Sequence, residues 1–125
     1  MSEAVRLAVP TNGQGGLDAP RSAHFGHAES FTIVEVADGA VVGSQVLVNP
    51  PHEHGGCGTI VAQLAQAGVG AAIVVGMGRG PLAAMQARGM AALFDDVSPT
   101  PRAAAETYLR GSQSEFGSDH VCRGH

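Results

Sequence analysis

Residues 71–81 read AAIVVGMGRGP, an unbroken apolar run followed by alternating glycines and a proline. An apolar run of this kind is typical of a strand that is buried on both faces of a sheet. Pro81 is suited to the first position of a helix, where the N–H that proline lacks would have no intrahelical acceptor. The stretch therefore predicts a strand, a glycine turn and a helix, which together form the basic unit of an α/β domain.

The segments on either side extend this unit into a complete domain. A strand and a hairpin precede it, with Asp38-Gly39 as the hairpin turn, and a strand and a helix follow it. The expected strands are 5–9, 31–36, 41–48, 71–75 and 90–94, and the expected helices run from Thr59 to Gly68, from Pro81 to Gly89 and from Thr100 to Gly111. Parallel crossovers combined with an antiparallel hairpin predict an α/β fold with a mixed sheet of about five strands and three helices.

The length of 125 residues corresponds to one domain. We expect this domain to span residues 1–111. Residues 112–125 are polar and lack hydrophobic periodicity, which predicts a flexible tail whose removal leaves the domain folded.

The charged residues exclude several classes of protein. The chain has no lysine, and its seven arginines face eleven carboxylates, for a net charge of −4. Binding of nucleic acid is not expected, since it needs a basic surface. Without lysine there is no Walker A loop, Schiff-base nucleophile or pyridoxal-phosphate anchor. No signal peptide and no apolar stretch of about 20 residues is visible, which predicts a cytoplasmic protein with free thiols and no membrane partner.

Three glycine-rich loops are expected at the carboxyl edge of the sheet, where open α/β sheets bind ligands. They comprise residues 12–30, 49–58 and 76–80. The last two lead into helix N-termini, whose unpaired N–H groups attract anions. Gly76, Gly78 and Arg79 would line such a site, with Arg21 as a second cation. The glycines equally fit a tight strand-to-helix turn. A dinucleotide-binding motif would also need an acidic residue, which Asp95 could provide, but the spacing of the glycines does not match that motif.

The second loop carries a motif with the chemistry of a metal ligand set, His52-x-His54-x-x-Cys57, followed by Gly58. A thiol at the start of a helix is stabilised as the thiolate, the form that binds metal. A thiolate with imidazoles suits zinc, copper or iron in a sulfide environment. In the alternative interpretation, the two histidines are solvated loop residues and Cys57 is a small buried one.

Two further segments contain candidate ligands. His24 and His27 lie in the first loop, where each is a ligand or a hydrogen-bonding anchor of the loop. The tail contains His120-x-Cys122-x-x-His125, which is a metal-binding segment or simply a disordered end.

The number of thiols favours a carrier of a preformed cluster. Two cysteines cannot supply the four thiolates of a ferredoxin cluster, whereas a cluster that carries its own sulfides needs fewer protein ligands. Two alternatives remain open. One is a zinc or iron storage protein using His52, His54, Cys57 and the tail, and the other is a thiol- or metal-dependent enzyme using Cys57.

Several segments together resemble a known family. They are Ala8-Val9-Pro10, Gly16-Leu17-Asp18-Ala19-Pro20, Ser22 to Ala28 (S-x-H-F-G-x-A), Phe31 to Val36, Gly55-Gly56-Cys57-Gly58 and Gly76-Met77-Gly78. The chain is similar, from residue 4 to about 110, to the dinitrogenase iron–molybdenum cofactor biosynthesis family. This family contains the NifX- and NafY-type cofactor carriers and the molybdenum–copper orange protein.

The resemblance implies a ribonuclease-H-like fold and non-enzymatic carriage of an iron–molybdenum cofactor precursor or a related Fe–S or Mo–Fe–S cluster. It also implies a cytoplasmic protein that meets cluster donor or acceptor proteins. By position, the ligand regions would be His24 and His27, residues 52–57 and the Gly76 loop. Ribonuclease activity is not expected, because two Mg²⁺ ions need clustered carboxylates and residues 5–9 of the first strand contain none.

Overall fold

The computed structural model describes residues 4–25, 28–48 and 56–116, with the backbone alone at residues 56–59. In this part of the chain, three helices pack on a six-stranded sheet of order β3-β2-β1-β4-β5-β6. The strands are β1 (Val5–Thr11), β2 (Ser30–Ala37), β3 (Ala40–Val48), β4 (Val69–Val74), β5 (Ala91–Phe94) and β6 (Ser114–Glu115), and the helices are α1 (Gly56–Gln66), α2 (Arg79–Ala87) and α3 (Pro101–Leu109).

The strand directions confirm the predicted mixed, ribonuclease-H-like α/β fold. Strand β4 is parallel to β1 and to β5, while β2 is antiparallel to both β1 and β3. The β2–β3 hairpin turns where predicted, with Asp38 at φ 55° and Gly39 at φ 77°. Two consecutive residues with positive φ form the type I′ turn that matches the twist of a hairpin. The sheet has one strand more than the sequence predicts.

The core is divided into two layers, one on each face of the sheet. Helices α1 and α2 pack together over Ala8, Ala72 and Val74 on one face, and α3 covers the other face, where Leu7 and Ile73 point. Successive strand residues point to opposite faces. Strand β4 is therefore buried on both faces, as its unbroken apolar sequence predicts.

Two helices begin earlier than the sequence predicts. Helix α1 begins at Gly56 rather than after Thr59, and α2 begins at Arg79, two residues before Pro81. Glycines are poor helix formers, but the burial of residues such as Ile60 stabilises α1 more than local propensity opposes it. Proline is tolerated anywhere in the first turn. The start of helix α3 is as predicted, since the Thr100 side chain caps it.

The start of the predicted tail packs against the domain. Strand β6 pairs with β5, and Phe116 is 3% exposed. Its N–H donates to the Ala92 carbonyl at 2.7 Å, and its ring stacks on that of Phe94 with centroids 6.3 Å apart. A two-residue strand and one aromatic ring leave no periodic signal in the sequence. We propose that the packed domain ends after Phe116 rather than Gly111, while residues 117–125 lie outside the described residues.

The described residues of the first loop are anchored to the domain at several points. Phe25 and Ala28 are buried in the α1–α2 layer, and Leu17 packs against the α3 layer. The carbonyl of Leu17 also accepts a hydrogen bond from the Arg102 N–H at 2.9 Å. These contacts fix the loop against both faces of the sheet.

A cluster of three hydroxyl groups fixes the glycine-rich part of this loop. Thr11, Ser30 and Thr32 are fully buried. The Thr11 Oγ1 lies 2.7 Å from the Ser30 Oγ and 3.2 Å from the Thr32 Oγ1. The N–H of Gly16 donates to the Thr32 Oγ1 at 2.9 Å. At Gly15 (φ +76°), a Cβ atom would lie 2.9 Å from the Ser30 Oγ, so that only glycine fits.

A buried ion pair attaches the same loop to β5. The Arg21 Nη1 lies 3.8 Å from the Asp95 Oδ1, and their side chains are only 5% and 4% exposed. Burial by itself raises the pKa of Asp95. Hydrogen bonds from the Ser98 backbone and hydroxyl, the Gln113 amide and the Val97 N–H outweigh this effect and lower the pKa to about 2. The carboxylate thus stays ionised and neutralises the buried guanidinium.

We expect Gly15→Ala to lower the free energy of unfolding by about 2–4 kcal/mol, because left-handed strain and a steric clash act together. Gly13→Ala is the matched control, since Gly13 has φ +67° and no atom lies within 4 Å of the position that a Cβ would occupy there. It should cost about 1 kcal/mol, from strain alone. Urea unfolding of both variants measures the difference, and equal losses would contradict the close packing of Gly15 on the hydroxyl cluster.

We expect Asp95→Asn to destabilise the protein by about 3–5 kcal/mol at neutral pH, because it leaves the Arg21 charge buried and unpaired. Asp96→Asn, at the exposed neighbouring residue, should change stability by less than about 0.5 kcal/mol.

The pH dependence provides a second test of the Asp95 pair. A lowered carboxyl pKa stabilises the fold above the ordinary value of 3.8, and this contribution is lost as the pH falls toward about 2. Urea midpoints measured from pH 7 down to pH 2 should show a smaller loss on the acid side in Asp95→Asn than in the wild type. An unchanged acid limb would contradict the assignment.

Candidate functional site

The fold brings the ends of several strands to one edge of the sheet. The register pairs Thr11, at the end of β1, with Ser30, and pairs Ser30 with Val48, at the end of β3. Strand β4 is parallel to β1, so Val74 also ends at this edge. The first loop, the segment that leads to α1 and the turn between β4 and α2 therefore all start here.

One hydrogen bond joins two of these segments directly. The Phe25 N–H donates to the Gly76 carbonyl at 3.0 Å, and the Phe25 ring packs edge-to-face on Phe31 with centroids 5.0 Å apart. The loop that carries His24 is thereby fixed against the β4–α2 turn. Among the predicted site residues, the structure brings together His24 and the glycine turn.

The position of His24 is set by its neighbour Ser22. The buried Ser22 hydroxyl donates to the His24 carbonyl at 3.1 Å and accepts a hydrogen bond from the His24 N–H at 3.3 Å. The His24 side chain itself is exposed. Neither Ser22 nor the Phe25 amide was predicted from the sequence as part of the site, although a serine two residues before a loop residue is a recognisable turn signal.

The N-terminus of α2 is open toward this edge. Its N-cap residue, Gly78, has no side chain to accept a hydrogen bond, and the first turn contains no acidic residue. Arg79, the first residue of the helix, is exposed. The buried Met77, 2% exposed, holds the turn in the core. The helix N-terminus thus combines uncapped N–H groups with a full positive charge, an arrangement that suits an anion.

The N-terminus of α1 has a comparable local sequence. Cys57 and Gly58 are the second and third residues of the helix, and its first turn contains no acidic residue. Cys57 therefore lies inside the first helical turn, whereas a Thr59 cap would place it two residues before the cap, outside the helix. The side chains of residues 56–59 lie outside the described part of the structure.

Two residues that the sequence suggested for ligand binding have structural roles instead. Arg21 was expected to add charge to the anion site, but its side chain is buried against Asp95 and donates to the Ser98 carbonyl at 2.9 Å. Asp95 was the acidic candidate of a dinucleotide site. Its carboxylate accepts hydrogen bonds from Val97, Ser98 and Gln113. Hydrophobic periodicity carries no information about such a long-range polar network, which is why the sequence did not reveal it.

Most of the predicted metal ligands lie outside the described residues. These are His27, His52, His54, His120, Cys122 and His125. Within residues 4–25, 28–48 and 56–116, no group of three or more His, Cys, Asp or Glu side chains is arranged to hold a metal ion. The ligand set therefore stays a prediction. None of the helices in these ranges is long and apolar enough to cross a membrane.

Comparison with known proteins shows what the chain is similar to. A family model described as dinitrogenase iron–molybdenum cofactor matches residues 4–111. The apo form of the orange protein from Desulfovibrio gigas has a similar structure, with a TM-score of 0.79, 28% sequence identity and coverage of 94% of this chain and 97% of that chain.

Two other solved structures have the same fold. A Thermotoga protein provisionally named a NifB protein has a TM-score of 0.74 and 25% identity, with 92% of this chain and 98% of that chain covered. A Methanocaldococcus jannaschii protein, at 13% identity and a TM-score of 0.73, covers 92% of this chain and 97% of its own and shows the fold alone. No protein with a curated description matches the chain. Because the family model matches nearly the whole sequence, the chain belongs to the dinitrogenase iron–molybdenum cofactor family.

Proposed function

We propose that this protein binds and carries an anionic metal–sulfur cluster and performs no catalysis. The cargo would be an iron–molybdenum cofactor precursor or a related Fe–S or Mo–Fe–S cluster. Membership of the family supports this proposal. The structural observation behind it is the Phe25–Gly76 hydrogen bond, which fixes a histidine loop against the open N-terminus of α2.

The electrostatics of the sheet edge favour a cluster with net negative charge. Each helix N-terminus carries a partial charge of about +0.5, and neither α1 nor α2 has an acidic residue in its first turn to offset it. Arg79 adds a full charge. Gly58, Gly76 and Gly78 allow the backbone to approach the sulfides of the cluster, since no Cβ atom intervenes.

The side chains available at this edge are suited to the metals of such a cluster. Cys57, in the first turn of α1, would supply a thiolate, and His24 lies exposed on the anchored loop. His27, His52 and His54 would be further ligands. Thiolate and imidazole are preferred by iron and copper in sulfide-rich environments. The tail residues His120, Cys122 and His125 would assist capture of the cluster from a donor protein.

A carrier needs binding that is specific yet reversible. Few side-chain ligands, combined with many backbone N–H contacts, hold a preformed cluster without building it into the fold. The cluster could then pass to an acceptor protein with few metal–ligand bonds to break. A simple zinc or iron store, or an enzyme based on Cys57, would give different results in the experiments below.

We expect Cys57→Ala to retain at least about tenfold less cluster than the wild type, because a coordinating thiolate is lost. Both proteins are reconstituted anaerobically with iron, sulfide and molybdate, desalted, and analysed for metals, sulfide and visible absorption. The thermal midpoint of the apo-protein should not change, since Cys57 would line the site instead of filling the core. Gln66→Ala, at the exposed far end of α1, is the control and should bind as the wild type does.

Three outcomes would contradict cluster carriage through Cys57. The first is equal cluster retention in Cys57→Ala and the wild type. The second is a colourless wild-type protein that contains zinc without sulfide, which would indicate a metal-ion store. The third is a catalytic turnover that disappears in Cys57→Ala, which would indicate an enzyme.

We expect Arg79→Gln to weaken cluster binding by about three- to tenfold, because a positive charge beside the anionic cluster is lost. The fold should be as stable as the wild type or slightly more stable, because a cation at a helix N-terminus destabilises the helix by about 0.3–1 kcal/mol. Arg88→Gln removes the same charge from the opposite end of α2, where Arg88 is also exposed, and should leave binding unchanged. Cluster loss to a chelator, measured at low and high salt, gives the comparison. Equal effects of the two variants would show that only net charge matters.

A further inference from the structure

Gln113, in the segment that follows α3, holds the carboxylate of the buried ion pair. Its side-chain Nε2 donates to the Asp95 Oδ2 at 2.8 Å and to the Ala104 carbonyl at 2.9 Å. Because both acceptors are oxygens, only the nitrogen end of the amide fits between them. The Gln113 side chain thus connects β5, α3 and the end of the described chain.

The backbone on both sides of Gln113 is fixed. On one side, the Ser112 N–H donates to the Thr107 carbonyl at 3.3 Å. On the other side, strand β6 pairs with β5, and the Phe116 N–H donates to the Ala92 carbonyl. The amide of Gln113 is therefore presented to Asp95 by a packed segment.

Asp95 transmits this contact to Arg21, which belongs to the first loop. The Asp95 Oδ1 lies 3.8 Å from the Arg21 Nη1 and accepts a hydrogen bond from the Ser98 N–H at 3.0 Å. The Oδ2 atom accepts from Gln113 and from the Ser98 hydroxyl. Loss of the Gln113 donor would leave Oδ2 with one donor among the described residues, and the carboxylate would be freer to rotate away from the guanidinium.

Arg21 in turn fixes the part of the loop that carries His24. The backbone of Arg21 pairs with Thr11, at the end of β1, and the Ser22 N–H donates to the Pro10 carbonyl at 2.9 Å. The Ser22 hydroxyl then bonds the backbone of His24. An unbroken series of contacts therefore leads from Gln113 to the candidate site.

Gln113 also limits the access of water to the ion pair. Together with Ser98 and Thr107 it lines an open crevice of about 380 Å³, and Asp95 lies in the wall of the same crevice. Displacement of Gln113 would expose more of the carboxylate to this crevice. Water there would weaken the attraction between Asp95 and Arg21, because it raises the local dielectric constant.

We propose that Gln113 is a positioning residue for cluster binding, which holds the His24 loop in place through Asp95 and Arg21. This inference rests on the proposed function, since His24 belongs to the candidate cluster site. The coupling is reciprocal. If the packed Gln113 segment favours the ordered loop, a cluster bound at the loop favours the packed segment by the same factor.

Amide hydrogen exchange of the full-length apo-protein tests the coupling itself. Gln113→Met keeps the length of the side chain but cannot donate a hydrogen bond, and Gln113→Glu places a second carboxylate beside Asp95. We expect the Phe25 N–H, which is bonded to Gly76, to exchange about tenfold faster in Gln113→Met, because a buried acceptor loses its donor. Exchange should be faster still in Gln113→Glu. Gln113→Met carries the test alone if Gln113→Glu does not fold.

Val69→Ala is the control for a general loss of stability. Val69 is 5% exposed and pairs with Arg6 near the start of β1, at the edge of the sheet opposite to the site. It packs in the α1–α2 layer, whereas Ala104 lies in the α3 layer. The loss of its methyl groups should destabilise the fold without affecting the network. Urea unfolding measures the stability of each variant.

The exchange of Phe25 then separates a positioning role from a structural one. In Val69→Ala, this N–H should exchange no faster than the loss of global stability requires. In Gln113→Met, the acceleration should exceed that amount. An acceleration in Gln113→Met that its own loss of global stability fully explains would overturn the inference.

Cluster retention provides the second readout. After anaerobic reconstitution, Gln113→Met should lose its cluster to a chelator at least about fivefold faster than the wild type, whereas Val69→Ala should lose it at the wild-type rate. Bound cluster should also slow exchange of the Phe116 N–H in the wild type. Unchanged cluster loss in Gln113→Met would overturn the positioning role. A wild type that binds no cluster would refute the proposed function, while Phe25 exchange would still decide whether Gln113 controls the loop.

Discussion

The candidate site depends on the backbone hydrogen bond between the Phe25 N–H and the Gly76 carbonyl. By itself this bond contributes about 1 kcal/mol, which is too little to hold a loop of this length against its conformational entropy. It persists because the loop is fixed at separate points, through the Gly15 contact with buried hydroxyls, the Arg21 ion pair and the Phe25 ring in the core. Each anchor reduces the conformational entropy of the loop that the remaining contacts must offset.

These anchors explain which features the sequence could predict. The apolar run at 71–75, the Asp38-Gly39 turn and the Thr100 cap are local signals, and each corresponds to an element close to its predicted place. The Arg21–Asp95 pair joins residues far apart in the chain. No local pattern distinguishes a buried arginine of this kind from one that binds a ligand. Long-range polar contacts are therefore where sequence reasoning fails.

The candidate site was only partly accessible to sequence reasoning for a related reason. Glycine turns and helix starts are visible in the sequence, which is why the sequence predicts Gly76, Gly78 and Arg79 as candidate site residues. The elements that position His24, namely the Ser22 hydroxyl and the Phe25 amide, act through backbone geometry. A backbone N–H has no residue-type signature, and it becomes a functional group only when the fold directs it toward a partner.

The uncapped N-terminus of α2 indicates how helix stability and ligand binding would be balanced in this fold. Serine or aspartate at the position of Gly78 would cap α2 and stabilise it by a few tenths of a kcal/mol relative to glycine, and an acidic first turn would add a comparable amount. Either change would place a competing acceptor or a negative charge where an anion would bind. The exposed Arg79 acts in the same direction, because a cation at this end disfavours the helix and would favour an anionic ligand. The small loss of helix stability is offset elsewhere by β4, which is buried on both faces.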